Sequence, residues 1–103
     1  MKNYLYIYHS DIKTAPSQES LDAWNKWFDT LGSNVVDSGN PVAPGAENKA
    51  VYKDGAIKHE NDTIVGYSVV KAENLDEALK MAADCPLSNA PGCEVRVYQT
   101  SSM

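Results

Sequence analysis

The sequence predicts an α+β domain of the ferredoxin-like type, a split βαβ arrangement in which two helices cover one face of an antiparallel sheet. The observation that carries this prediction is the order of segments: strand, helix, strand, small hairpin, strand, helix, strand. The chain has 103 residues, which suits a single domain spanning residues 1–103. With 43% hydrophobic and 22% charged residues, its composition is that of an ordinary globular protein.

The first half of the chain contains one strand and one well-marked helix. Residues 3–9 are rich in the aromatic and β-branched side chains that suit strands. A polar stretch follows, and Ser17 is placed to cap a helix that ends at Gly32, where a left-handed residue is expected. Apolar residues at helical spacing predict the buried face of this helix: Leu21, Trp24, Trp27, Phe28 and Leu31.

The second half predicts the remaining elements. A short strand around Val35 and Val36 leads into a loop over residues 39–50, and Asp54-Gly55 predicts a type I′ hairpin. Residues 63–71 form a strand, and Asn74 is the expected cap of a second helix. The last strand is the segment "CEVRVYQ". The buried face expected for the second helix comprises Leu75, Ala78, Leu79, Ala82 and Cys85.

Alternation along the strands predicts which side chains share a face of the sheet. In the first strand Leu5 and Ile7 point one way and the three tyrosines the other. We expect the compact aliphatic set, with Val95 and Val97 of the last strand, to lie beneath the helices. The opposite face would then carry the following side chains: Tyr4, Tyr6, Tyr8, Tyr67, Glu94, Arg96 and Tyr98.

An amphipathic sheet face of this kind is typical of an interface or a ligand groove. The simplest cover is a second copy of the chain packed sheet to sheet, so the sequence predicts a homodimer. An ordinary surface that happens to carry tyrosines is the alternative.

Charge and composition exclude several classes of function. Nine basic against 14 acidic side chains give a net charge of -5, which disfavours nucleic acid and anionic membrane surfaces as partners. No apolar run is long enough for a membrane span, and the N-terminus does not read as a secretory signal. We therefore expect a cytoplasmic protein in which Cys85 and Cys93 are reduced thiols. No metal or cofactor is expected, since neither finger-like ligand spacing nor a nucleotide fingerprint occurs.

The chain resembles the YCII-related family, in the branch that includes the DGPF-domain proteins. The resemblance rests on "YLYIY", "WNKWFDTLG", "VVDSGNPV", "IVGYSVVKAENLDEALKMAADCP" and "GCEVRVYQ", over about residues 3–99. It implies a dimeric α+β barrel, in which two ferredoxin-like sheets pack face to face. Related dimeric barrels include cofactor-independent monooxygenases, muconolactone isomerase-like enzymes and proteins that only bind small molecules, so the resemblance does not fix a reaction.

Two features of the family are missing from this chain. Where the DGPF motif would precede the Gly-Tyr strand, the sequence reads "DGAIKHENDTIVGY". The short YCII branch carries a histidine on its first helix in a proposed dyad with an acid, whereas this helix, "LDAWNKWFDTL", has no histidine. That dyad is therefore not carried over to this chain.

His9 and Asp11 are the remaining acid/base candidates, since an imidazole titrates near neutrality and a carboxylate can orient it. Parity is the objection, because His9 would point with Leu5 and Ile7, away from the tyrosines. A histidine that simply closes the strand is the alternative.

The candidate ligand-binding residues are Tyr6, Tyr8, Tyr67 and Arg96. An arginine among aromatic rings suits an anionic or aromatic ligand, although Arg96 could equally pair with Glu94 or with an acid of a second copy. The sequence thus favours a homodimeric small-molecule-binding protein. Its alternative is a cofactor-independent isomerase, lyase or monooxygenase acting on a small organic acid or lactone.

Overall fold

The structure is a computed structural model that describes residues 1–11, 17–42, 49–55, 57–59 and 63–101. Residues 43–48 of the predicted loop over 39–50, and residues 12–16 of the polar stretch before the first helix, lie outside these residues. The strands are β1 (Lys2–Ser10), β2 (Val35–Asp37), β3 (Lys49–Val51), β4 (Ile57–His59), β5 (Ile64–Ala72) and β6 (Cys93–Gln99). The helices are α1 (Gln18–Leu31) and α2 (Leu75–Ala83), and short 3-10 turns follow each of them.

Four strands form an antiparallel sheet in the order β2-β5-β1-β6, and β3 pairs with β4 in a separate ribbon. Each helix connects strands that are not neighbours, as the split βαβ arrangement requires. Side chains of β1 contact both helices from the same face: Tyr6 reaches Ala78 of α2 and Tyr8 packs against Trp24 of α1. The predicted α+β, ferredoxin-like fold is therefore confirmed.

Both helices begin at the residues that the sequence predicts. The Ser17 hydroxyl accepts a hydrogen bond from the Ser20 backbone N–H at 3.1 Å, and the Asn74 side chain accepts one from Glu77 at 2.9 Å. Each contact satisfies a backbone donor that has no partner within its helix. Helix α1 ends at Gly32, whose φ of 54° is positive as expected, although its ψ of -123° lies outside the left-handed helical region.

The predicted assignment of sheet faces is wrong for β1. The three tyrosines that were expected opposite the helices are the core: Tyr4, Tyr6 and Tyr8 are 1%, 0% and 5% exposed. The rings of Tyr6 and Tyr8 pack against α1, where Trp27 lies 6.1 Å from Tyr6 and Trp24 lies 4.8 Å from Tyr8 between ring centroids. The aliphatic pair of β1 consequently faces away from the helices. Val95 and Val97, by contrast, do pack against the core as predicted.

The tyrosines can occupy the core because their hydroxyl groups have partners there. Tyr6 donates to the Ala78 carbonyl oxygen at 2.5 Å. Tyr8 donates to the Ser68 hydroxyl at 2.8 Å, which in turn donates to the Ser38 carbonyl at 2.6 Å. Burying a hydroxyl without a partner costs free energy, and these contacts remove that cost. Burial raises the pKa of both tyrosines well above the ordinary value of 10.0.

Helix α2 also packs differently from the prediction. Ala78, Ala82 and Cys85 are buried, whereas Leu75 and Leu79 are each 46% exposed. The small alanine side chains allow the helix to approach β1 closely enough to receive the Tyr6 hydrogen bond. The two larger leucines are therefore turned to one flank of the helix.

The predicted hairpin forms, but its turn is not type I′. That turn requires positive φ at both central residues, and among the described residues only glycines have positive φ. Gly55, with φ 85°, donates its N–H to the Tyr52 carbonyl at 2.8 Å. Five residues separate β3 from β4, so the loop is longer than the two-residue turn that the Asp-Gly pair suggests.

The burial of Cys85 predicts a loss of stability at alkaline pH. Burial raises the pKa of this thiol from its ordinary 9.0 to about 11. Because the folded-state pKa is raised, the stabilising contribution is fully present below pH 9 and is lost as the pH rises towards 11. We expect about 1 kcal/mol of unfolding free energy to be lost between pH 9 and 10 from this group. Urea unfolding at each pH measures the loss.

Cys85→Ala is the matched variant for this measurement. It lowers stability at every pH because it leaves a small cavity, but it removes the thiol that ionises. Its unfolding free energy should therefore fall less steeply than that of the wild type between pH 9 and 10. Equal slopes for the two proteins would show that Cys85 is not the titrating group.

Candidate ligand-binding face of the sheet

The face of the main sheet that points away from the helices is called the open face. Its register follows from the pairing of β1 with its two neighbours. Leu5 lies between Val69 and Tyr98, and Ile7 lies between Tyr67 and Arg96. The open face therefore has an apolar centre and a polar rim along β6, made up of Leu5, Ile7, Tyr67 and Val69 at the centre and Glu94, Arg96 and Tyr98 at the rim.

The sequence correctly places Tyr67 and Arg96 on this face but not Tyr6 and Tyr8. Tyr67 is half-buried and Arg96 is exposed, with Ile7 of β1 between them. The hydroxyl groups of Tyr6 and Tyr8 are instead held within the core by Ala78 and Ser68, as described above. The predicted placement of those two tyrosines on a ligand-facing surface is therefore wrong.

Arg96 makes an ion pair with Glu94, which is one of the alternatives that the sequence leaves open. Its guanidinium donates to the Glu94 carboxylate at 3.0 Å, and both side chains are about half exposed. The hydrogen bond from Arg96 lowers the pKa of Glu94, and the same contact, together with a hydrogen bond that Arg96 donates to Tyr98, raises the pKa of Arg96. The guanidinium keeps donors to spare, because arginine has five N–H groups.

His9 lies at one end of the open face. It pairs with Ile64 on β5 and with Glu94 on β6, which places its side chain on the same face as Ile7. The side chain is only 8% exposed, and its Nδ1 lies 2.8 Å from the Thr63 hydroxyl oxygen. The predicted parity of His9 is thus confirmed. Since Leu5 and Ile7 face away from the helices, that parity no longer argues against His9.

Asp11 does not join His9. Its backbone N–H donates to the Gly92 carbonyl at 3.3 Å, and its exposed carboxylate lies directly over the Cα of Gly92. A Cβ at position 92 would be 2.5 Å from Asp11 Oδ2, and the positive φ of Gly92, 73°, independently favours glycine at this position. The contact that orients the His9 ring therefore comes from Thr63, which the sequence did not suggest, since Thr63 stands 54 residues away.

Three further findings bear on the kind of site. Within the described residues, no group of three or more His, Cys, Asp or Glu side chains is placed to hold a metal ion. None of the described helices is long and apolar enough to cross a membrane. A cavity of about 420 Å³ lies where the ends of β1 and β6 meet, and it is lined by Met1, Lys2, Asn3, Thr100 and Ser101.

Comparison with known proteins gives a family that agrees with the resemblance noted in the sequence. The family model described as "YCII-related domain" matches residues 1–101. This chain belongs to the YCII-related family. No curated protein matches it.

The chain is also similar to solved structures of distant sequence. One is B. subtilis GlnK, at 15% identity and a TM-score of 0.42, covering 96% of this chain and 84% of that one. Another is the GlnK-ATP complex of B. subtilis, at 13% identity and a TM-score of 0.42, covering 95% and 80% respectively. Values this low support no conclusion about the function of this YCII-related chain.

Proposed function

We propose that this YCII-related chain is a homodimeric small-molecule-binding domain, in which two open faces pack together and leave a ligand cleft beside Arg96. The observation that carries the proposal is the apolar centre of the open face. Both described helices cover the opposite side of the sheet, and this side presents Leu5, Ile7 and Val69. Where one face of an antiparallel sheet is exposed to water, the strands normally place polar side chains on that face.

The ligand that suits this cleft is a small anionic or aromatic molecule. Arg96 offers a guanidinium at the rim. On the same face, Ile7 of β1 lies between Arg96 of β6 and Tyr67 of β5. A carboxylate could share the guanidinium with Glu94, while an aromatic ring could lie against Ile7 and Tyr67. The two features together favour an aromatic carboxylate over a neutral apolar molecule.

Benzoate is a suitable probe for this proposal. We expect it to bind the wild type and to shift the amide resonances of Ile7, Tyr67 and Arg96 in two-dimensional NMR titrations. Arg96→Gln removes the cation and should weaken binding by about 10- to 100-fold, the range of a charge-assisted hydrogen bond. The dissociation constants from the titrations measure the effect.

Lys71→Gln provides the matched control, because Lys71, on β5, is another cation on the open face. It should leave benzoate affinity within about twofold of the wild-type value. Lys71 pairs with Asn3, which is four residues along β1 from Ile7, so it lies far from Arg96 on this face. Absence of binding to the wild type at millimolar benzoate, or equal losses in the two variants, would contradict the proposed ligand site.

One observation favours a second candidate, a cofactor-independent enzyme acting on a small organic acid or lactone. His9 is the only histidine on the described open face, and its Nδ1 is engaged by Thr63, which fixes the ring. A fixed imidazole beside a bound acid could transfer a proton. In this case His9→Gln would leave benzoate binding unchanged but abolish turnover of any substrate found. Asp11→Asn would retain that turnover, because Asp11 lies against Gly92.

A further inference from the structure

The two edges of the main sheet differ in how they are protected. On one side, β2 is three residues long, its pairing with β5 is irregular, and Pro41 makes the next bridge. On the other side, β6 runs for seven residues, Cys93–Gln99, and its one partner in the described sheet is β1. It contains neither proline nor lysine, the residues that usually protect an edge from another strand.

The charges of β6 are complementary to a second copy of the same strand. Glu94 and Arg96 are two residues apart and lie on the same face. If two β6 strands pair in antiparallel fashion around Val95, each Glu94 stands opposite the Arg96 of the other copy. Val95 then meets its own equivalent, and Cys93 meets Val97. This register places opposite charges together on the open face and apolar side chains together on the face that the helices cover.

We propose that β6 is a second self-association site, at which two copies join edge to edge into one continuous eight-stranded sheet. The occupant is a second copy of this chain, selected by the reciprocal Glu94–Arg96 pairs. Its hydrogen bonds use backbone groups at the β6 edge, whereas the packing of the proposed function uses the side chains of the open face; Arg96 lies where the two contacts adjoin. The two contacts together would build a tetramer from two face-to-face dimers.

The exposed flank of α2 supports this assignment. Helix α2 joins β5 to β6. It therefore crosses over β1, the strand between them, and lies next to β6. The Met81 carbonyl accepts a hydrogen bond from Trp27 of α1 at 3.0 Å, so the flank that carries Leu75 and Leu79 is the one turned away from α1. That flank is therefore the one on the β6 side of the helix, where a second copy would cover these half-exposed leucines.

Hydrogen exchange of the β6 backbone amides tests the proposal, because only edge pairing protects the amides that point away from β1. In the wild type we expect these alternate amides to be protected at high protein concentration and to lose protection on dilution. Arg96→Glu places like charges opposite each other and should weaken the association by about tenfold. The double variant Glu94→Arg/Arg96→Glu restores opposite charges and should restore the protection.

The same measurement on Leu5→Arg separates the two contacts. That change lies on the open face, so edge protection should persist even where face-to-face packing is lost. Outward β6 amides that exchange at the unprotected rate at every concentration would overturn the proposal. A double variant as weak as Arg96→Glu alone would overturn the Glu94–Arg96 register.

Discussion

Tyr6→Ala is expected to lower the free energy of unfolding by about 3–5 kcal/mol, the range for removing a buried aromatic ring. Tyr6 is fully buried, stacks 6.1 Å from Trp27 and donates its hydroxyl to Ala78. The change leaves a cavity between β1 and both helices and removes the donor to the Ala78 carbonyl. Urea unfolding of the wild type and the variant measures the difference.

Tyr67→Ala is the control for that experiment. It removes the same type of side chain from the same sheet, but from the open face, where the ring is half-buried. At concentrations where the protein is monomeric we expect it to cost about 1 kcal/mol. If the two variants were equally stable, the assignment of the β1 tyrosines to the core would be wrong.

Leu5→Arg is expected to raise the dissociation constant of the proposed face-to-face dimer by about 100-fold or more. Leu5 lies at the apolar centre of the open face, between Val69 and Tyr98. Packing two open faces together would bury one unpaired guanidinium from each copy, which costs several kcal/mol. Sedimentation equilibrium over a range of concentrations measures the constant.

Leu21→Arg is the matched substitution on the helical side. Leu21 is an exposed leucine of α1 and takes no part in the open face. The variant should therefore associate as the wild type does. Equal weakening by the two arginines would indicate a general effect of charge, and no weakening by Leu5→Arg would place the interface elsewhere.

Much of the fold follows from local sequence signals, because these signals act over a few residues. The caps at Ser17 and Asn74 and the positive φ of Gly32 depend only on neighbouring backbone groups, and all three are present in the structure. The order of strands and helices likewise determines the split βαβ arrangement, since few connections satisfy it.

Alternation alone could not identify the core face of β1, because both of its faces are apolar. Aliphatic compactness proved a poor guide, since a tyrosine can be buried when its hydroxyl has a partner. The informative signal lay on the neighbouring strand, where Gly66 pairs with Tyr8 and Ser68 pairs with Tyr6. Small residues opposite large rings make room for a tightly packed layer.

The candidate site was less predictable than the fold because its contacts are long-range. The partner of His9 is Thr63, 54 residues away, and the irregular pairing after Tyr8 that brings β5 into place has no local signature. Arg96 and Glu94, two residues apart on one strand, were within reach of sequence reasoning.

Native mass spectrometry of the purified wild-type protein tests the central claim, that two copies pack through their open faces around a ligand cleft. At micromolar concentration we expect an even number of chains, with a dimer as the smallest abundant species, and we expect Leu5→Arg to shift the protein towards smaller assemblies. Additional mass on the dimer would reveal a retained small molecule. A wild-type protein that is monomeric under these conditions would contradict the account.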